Sequence, residues 1–140
     1  MIRVQREDFD CGREMAALTR GNTRIGGLAT FVGLVREVPM TLEHYPGMTE
    51  RKLAEIEDEA RRRWRLEASL IIHRYGRLEP GEQIVLVATA AEHRAAALES
   101  CAFLIDWLKT KAPFWKLEET ASGPRWVEAR ASDDEAAARW

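Results

Sequence analysis

The stretch from Glu92 to about Lys111 constrains this chain most: it runs without a glycine or proline and then meets Pro113. Its apolar residues Leu98, Cys101, Ile105 and Leu108 recur at helical spacing, so one long helix is expected, with that stripe against a core. Pro113 ends it, because a proline pushes the preceding residue out of the helical region. Two apolar runs, Leu70 to Tyr75 and Ile84 to Thr89, precede this helix, and the Pro-Gly pair in Glu79-Pro80-Gly81-Glu82 between them is a strong turn signal. The two runs are expected to pair as a hairpin.

Other segments follow the same two periods. From Ile25 to Val35, Leu28, Thr30, Val32 and Leu34 alternate with Ala29, Phe31, Gly33 and Val35, which predicts a strand buried on both faces. Thr41 to Tyr45 reads as a second strand before the Pro46-Gly47 turn. Thr49 is expected to cap a helix carrying Leu53, Ile56, Ala60 and Trp64. On its outer face, Glu57/Arg61, Asp58/Arg62 and Glu59/Arg63 are i,i+4 pairs, so the arginine run reads as a solvated, paired surface. Asp10 is placed to cap a short helix with Met15 and Leu18 that stops at Gly21. After Pro113, strands are expected over Phe114 to Glu118 and Arg125 to Ala129, joined through Ser122-Gly123-Pro124. Ser132 and Glu135 form a capping-box pattern opening a last helix to Trp140. Helices and strands intermix without regular βαβ alternation, so the class is α+β, in one domain over 1–140.

Composition narrows the function classes. With 21 basic and 23 acidic side chains the formal charge is −2, which gives no global field for nucleic acid or a membrane surface. Any anion site must therefore be local. Cys11 and Cys101 stand alone, so neither a disulfide framework nor a metal site is indicated, and a reducing cytoplasm is expected. No stretch approaches the roughly 18 consecutive apolar residues of a membrane span, and a soluble protein is expected.

The candidate chemistry centres on Lys109 and Lys116. Lys109 falls in the last turn of the long helix, and Lys116 on the following strand, so the Pro113 corner lets two cations converge from different elements. Alone, Lys109 also reads as a cation complementing a helix C-terminus and Lys116 as a solvent-facing strand residue. Phe114 and Trp115 supply bulk that would desolvate an ammonium and lower its pKa, as an acid, base or nucleophile requires. His93 and Arg94 lie in the helix's first turn, where a cation opposes the dipole. Either an anion binds there, held by free N–H groups and a bidentate guanidinium, or Glu92 satisfies that end. Arg36 and Arg130 end the first and last long strands, and with the other cations could hold a strongly anionic substrate. His44 and His73 lack ligand spacing and read as packed or edge strand residues, and Cys101 as core.

At this point longer motifs become informative. T-L-E-H-Y-P-G-M-T-E (41–50), I-H-R-Y-G-R-L-E-P-G-E (72–82), A-E-H-R (91–94), L-K-T-K-A-P-F-W-K (108–116) and R-W-V-E-A-R (125–130) resemble the large subunit of molybdopterin synthase, from about Leu28 to Trp140. The resemblance implies an α/β hammerhead-type fold with a mixed antiparallel sheet and packed helices. It implies a central dimer with a small ubiquitin-like sulfur-carrier subunit at each end, a heterotetramer in molybdenum cofactor biosynthesis. The carrier's C-terminal thiocarboxylate would deliver sulfur to cyclic pyranopterin monophosphate, forming the molybdopterin dithiolene, with no cofactor of the enzyme's own. By position, Lys109 and Lys116 match the active-site lysines, His93 and Arg94 a substrate-contacting pair, Arg36 the G-x-V-R arginine, and Lys116-Leu117-Glu118 a further contact stretch. In the dimer, His93, Arg94 and Arg130 would complete the neighbour's pocket. Two departures stand out: Leu34 and Leu117 replace residues often basic in relatives, and the loop between Arg36 and Thr41 is several residues shorter.

Overall fold

The computed structural model describes residues 1–127 and 130–140. Its elements run β1 (Ile2–Gln5), α1 (Cys11–Thr19), β2 (Gly27–Leu34), β3 (Met40–His44), α2 (Met48–Arg63), β4 (Ala68–Arg74), β5 (Gly76–Leu78), β6 (Gln83–Ala91), α3 (Arg94–Lys111), β7 (Phe114–Thr120), β8 (Gly123–Val127) and α4 (Ala131–Ala138). Two four-stranded sheets form, ordered β1-β4-β6-β2 and β5-β3-β7-β8. The class is α+β, as expected. β1 lies parallel to β4, and every other pairing is antiparallel.

The expected pairing of the two apolar runs is present, with Ile71 opposite Val87 and Ile72 opposite Leu86. Alternation sends Leu70, Ile72, Leu86 and Ala88 to one side, against Phe9, Met15 and Leu18 around α1. Ile71, Val85 and Val87 face the other side, where α2 and α3 bring Leu53, Ile56, Phe103 and Leu104. The connection between the two strands is more than a turn. Gly76, at φ +93, swings the chain out of the first sheet so that β5 pairs with β3 in the second. A side chain there would be strained in backbone and would also meet the Arg6 guanidinium 2.9 Å from its Cβ.

Several expectations needed correction. The strand expected over Ile25 to Val35 is shorter and is not buried on both faces: Leu28, Phe31 and Leu34 are exposed, and Ala29 is the one buried residue within β2. β2 is the outer strand of its sheet, and although α3 packs on it, the Leu28, Phe31 and Leu34 side chains stay exposed along the edge. On α3 the buried residues are Ala97, Ser100, Cys101, Phe103, Leu104 and Leu108, whereas Leu98 is 61% exposed. The helix packs on both the sheet and α2, which turns its covered face away from Leu98. Thr49 is not a cap but a buried residue inside α2, whose N-cap is Gly47, with the Glu50 carboxylate accepting the Gly47 N–H. Of the three expected pairs along α2, Glu59–Arg63 forms; Arg62 also turns to Glu59, Arg61 donates to Ser69, and Glu57 is buried accepting the Ser69 hydroxyl. Arg130, not Ser132, precedes α4, with its N–H donated to Asp133, and the helix stops at Ala138. The expected strand ending at Ala129 runs to Val127, positions 128 and 129 lying outside the described residues.

Candidate active site

The corner after α3 is fixed from outside. Ala112 leaves the helix with extended backbone (φ −80, ψ 133), and the Pro113 carbonyl accepts a hydrogen bond from the Thr49 hydroxyl at 3.2 Å. Thr49 in turn accepts the Tyr45 N–H at 3.0 Å, tying α2, β3 and the corner together. One residue on, Phe114 stacks on the buried His73 ring, with centroids 3.7 Å apart and planes 17° from parallel. This joins the start of β7 to the first sheet.

Lys116 follows on the same side of β7 as Phe114. Residues directly opposed across an antiparallel pair point to one face. His44, Leu42 and Met40 oppose Phe114, Lys116 and Glu118, while Val127 and Arg125 oppose Lys116 and Glu118 from β8. Burial lowers the Lys116 ammonium to about 8, and the neighbouring Lys109 charge adds to the effect, against the opposing pull of Asp133 and Glu118. The two lysines therefore do converge, one from the end of α3 and one from β7. His73 belongs to the same surroundings: burial holds it down to about 3, with Lys116, Lys109 and His44 opposing its protonation. A carbonyl only accepts, so the 2.8 Å contact with the Arg74 carbonyl puts the neutral ring's proton on Nδ1.

Beside Lys116 lies a cleft of about 370 Å³ lined by Arg36, Glu37, Val38, Glu118, Arg125, Trp126, Val127 and Arg130. Three guanidiniums thus face two carboxylates, of which Glu118 stands 3.8 Å from Arg125. The short loop after β2 forms one wall. Within it the Val38 N–H reaches the Arg36 carbonyl at 2.8 Å and Glu37 sits at φ 69, a strained γ-turn for a side chain other than glycine.

The structure thus gathers Lys109, Lys116, Arg36, Glu118 and Arg130. It does not gather the rest. His93 and Arg94 are exposed at the opposite end of α3, roughly 22 Å from Lys109 along the axis at 1.5 Å per residue. The Glu92 carboxylate lies 3.6 Å from the His93 ring. Leu117 points to the other face of the sheet, opposite Thr41 and Trp126, so any contact it makes in the cleft is through its main chain. Arg125 was missed on sequence, although two-residue alternation back from Val127 would have placed it on the cleft side. Among the described residues no group of three His, Cys, Asp or Glu side chains could hold a metal ion, and no helix is long and apolar enough to cross a membrane.

Comparison with known proteins supplies the frame for this geometry. Residues 4–111 match the family described as MoaE protein. The molybdopterin synthase catalytic subunit of Pseudomonas aeruginosa is 55% identical over 99% of this chain and 97% of its own length. That of Ralstonia nicotianae is 54% identical over 99% of this chain and 83% of its own. The solved molybdopterin biosynthesis MoaE protein from Burkholderia ambifaria superposes with a TM-score of 0.88 at 57% identity, covering 100% of this chain and 97% of that one.

Proposed function

The chain belongs to the MoaE protein family, and from that premise we propose that it is the catalytic, sulfur-transferring subunit of a molybdopterin synthase, with Lys109 and Lys116 as its active pair. The observation that carries this assignment is the convergence of the two lysines from different elements on the face that continues into the arginine cleft. The substrate is cyclic pyranopterin monophosphate. Its phosphate is held by Arg36 and Arg130, and bidentate guanidinium pairing suits a phosphate better than a point charge does. The reacting carbons then lie toward Lys116. Sulfur arrives as the C-terminal thiocarboxylate of a small ubiquitin-like subunit, and negative charge develops as it attacks. The Lys109 ammonium stabilises that charge, and Lys116, held near 8, moves a proton close to neutral pH.

The working form is a dimer of this chain with a small subunit at each end. The exposed apolar residues Leu28, Phe31, Leu34 and Leu98 support self-association, and the distance of His93 and Arg94 from Lys109 fits a role in the neighbour's pocket. Two unpaired cysteines suit a cytoplasmic setting. The test is separate Lys109→Ala and Lys116→Ala variants, incubated with thiocarboxylated small subunit and cyclic pyranopterin monophosphate. Dithiolene formation is expected to fall on the order of 100-fold or more in each. Undiminished formation in both removes the assignment.

A further inference from the structure

Helix α4 is eight residues long and buries none of its side chains, so helix propensity alone does not hold it in place. Yet its start carries two groups of the site: Arg130 lines the cleft, and Asp133 acts on Lys116. The bonds that fix α4 come largely from α3, with Arg63 of α2 also donating to the Trp140 carbonyl. Asp106, one turn before Lys109, accepts the Trp140 indole N–H at 2.7 Å and an Arg139 N–H at 3.3 Å. The adjacent Trp107 donates its own indole N–H to the Ala137 carbonyl at 3.3 Å. The Trp140 ring packs edge-on against Trp64 and Phe103, with centroids 5.6 and 5.9 Å away. The Asp106 side chain is 17% exposed, so its bond to the indole is shielded, whereas Arg139 is 70% exposed and its ion pair contributes little.

We propose that Asp106 is a positioning residue for the reaction: by accepting the Trp140 indole it pins α4 to α3, and through α4 it sets where Arg130 and Asp133 stand. The proposal rests on the cleft being the substrate site. One helix then performs two tasks within a single turn, Lys109 facing the chemistry and Asp106 holding the element that carries the cleft's far wall.

The test compares Asp106→Ala, Asp106→Asn and Trp140→Phe with the unaltered chain, each assembled with its small subunit. Steady-state constants for cyclic pyranopterin monophosphate and hydrogen exchange of the α4 amides are measured. Loss of the shielded bond in Asp106→Ala is expected to raise KM on the order of tenfold with a smaller fall in kcat, and to speed α4 exchange by a similar factor. Asp106→Asn keeps an acceptor oxygen and restores most of the KM. Trp140→Phe keeps an aromatic ring, removes the donor, and reproduces the Asp106→Ala effect even if that variant folds poorly. Unchanged α4 exchange in both Asp106→Ala and Trp140→Phe overturns the proposal, as does faster exchange with KM unmoved. The exchange arm needs no turnover, so an absence of dithiolene product in the unaltered protein would count against the proposed function and leave the latch separately decided.

Discussion

Replacing Lys116 with methionine is expected to stabilise the fold while ending its activity. In the folded chain the ammonium is held at about 8, against 10.5 for a free lysine, because burial and the Lys109 charge both disfavour it. That gap is worth at most about 3 kcal/mol, and because water still reaches part of the side chain, about 1–2 kcal/mol is expected. The sign follows from where the proton is bound. Below pH 8 folding must hold a charged amine in a site that resists it, so the cost is fully present. As pH rises from about 8 toward 10.5 the folded lysine gives up its proton before the unfolded one does, and the cost fades. Methionine has similar length and no charge, so it removes the cost without opening a cavity. Urea unfolding of both proteins at pH 7 and pH 9.5 measures the difference directly. The variant should be more stable at pH 7, and its advantage should shrink by roughly a quarter to a half at pH 9.5. A variant no more stable than the parent at pH 7, or an advantage independent of pH, would refute the account of Lys116 as a desolvated cation.

Two further outcomes follow from the same surroundings. Lys109→Met removes the charge that helps depress Lys116, so the limb of the pH–rate profile assigned to Lys116 should move to higher pH, read from residual single-turnover rates; an unmoved limb would separate the two lysines electrostatically. Glu37→Gly relieves a positive φ and takes a carboxylate out of the arginine cleft, so stability should rise by about 1 kcal/mol and KM for the pterin should fall, checked by thermal unfolding and steady-state kinetics.

How far the sequence could be read depended on whether a segment's neighbours were written into its own pattern. The runs that became β4 and β6 were legible because both faces are covered and the apolar residues are continuous. Pro113 marked the end of α3 because its effect is local and steric. Leu98 misled, because periodicity identifies an apolar face and does not say which part of it a second helix will cover. Strand β2 misled in the same way: its alternation was real, but its place at the sheet edge is a tertiary fact. Thr49 has the chemistry of a cap and spends it on Tyr45 and Pro113, one contact being 64 residues away in sequence. Strand β1 is only four residues long and pairs with a distant partner, leaving little pattern to find. In the site, the lysines were singled out through a long motif and Arg36 through the short G-x-V-R strand end. Arg125 opens the R-W-V-E-A-R motif but was not singled out as a site residue until the register placed it opposite Glu118.

The two lysines are mounted on different bodies. Lys109 rides on a helix seated on the first sheet, and Lys116 is part of the second sheet, with Gly76 and Pro113 at two of the crossings between them. The gap between the two amines therefore depends on how the two sheets are set against each other. The Thr49 bond and the His73–Phe114 stack act as the bolts between them. Residues with no part in the chemistry thereby set the spacing on which the chemistry depends, and substitutions there should register first as a change in reactivity and only later as a loss of fold.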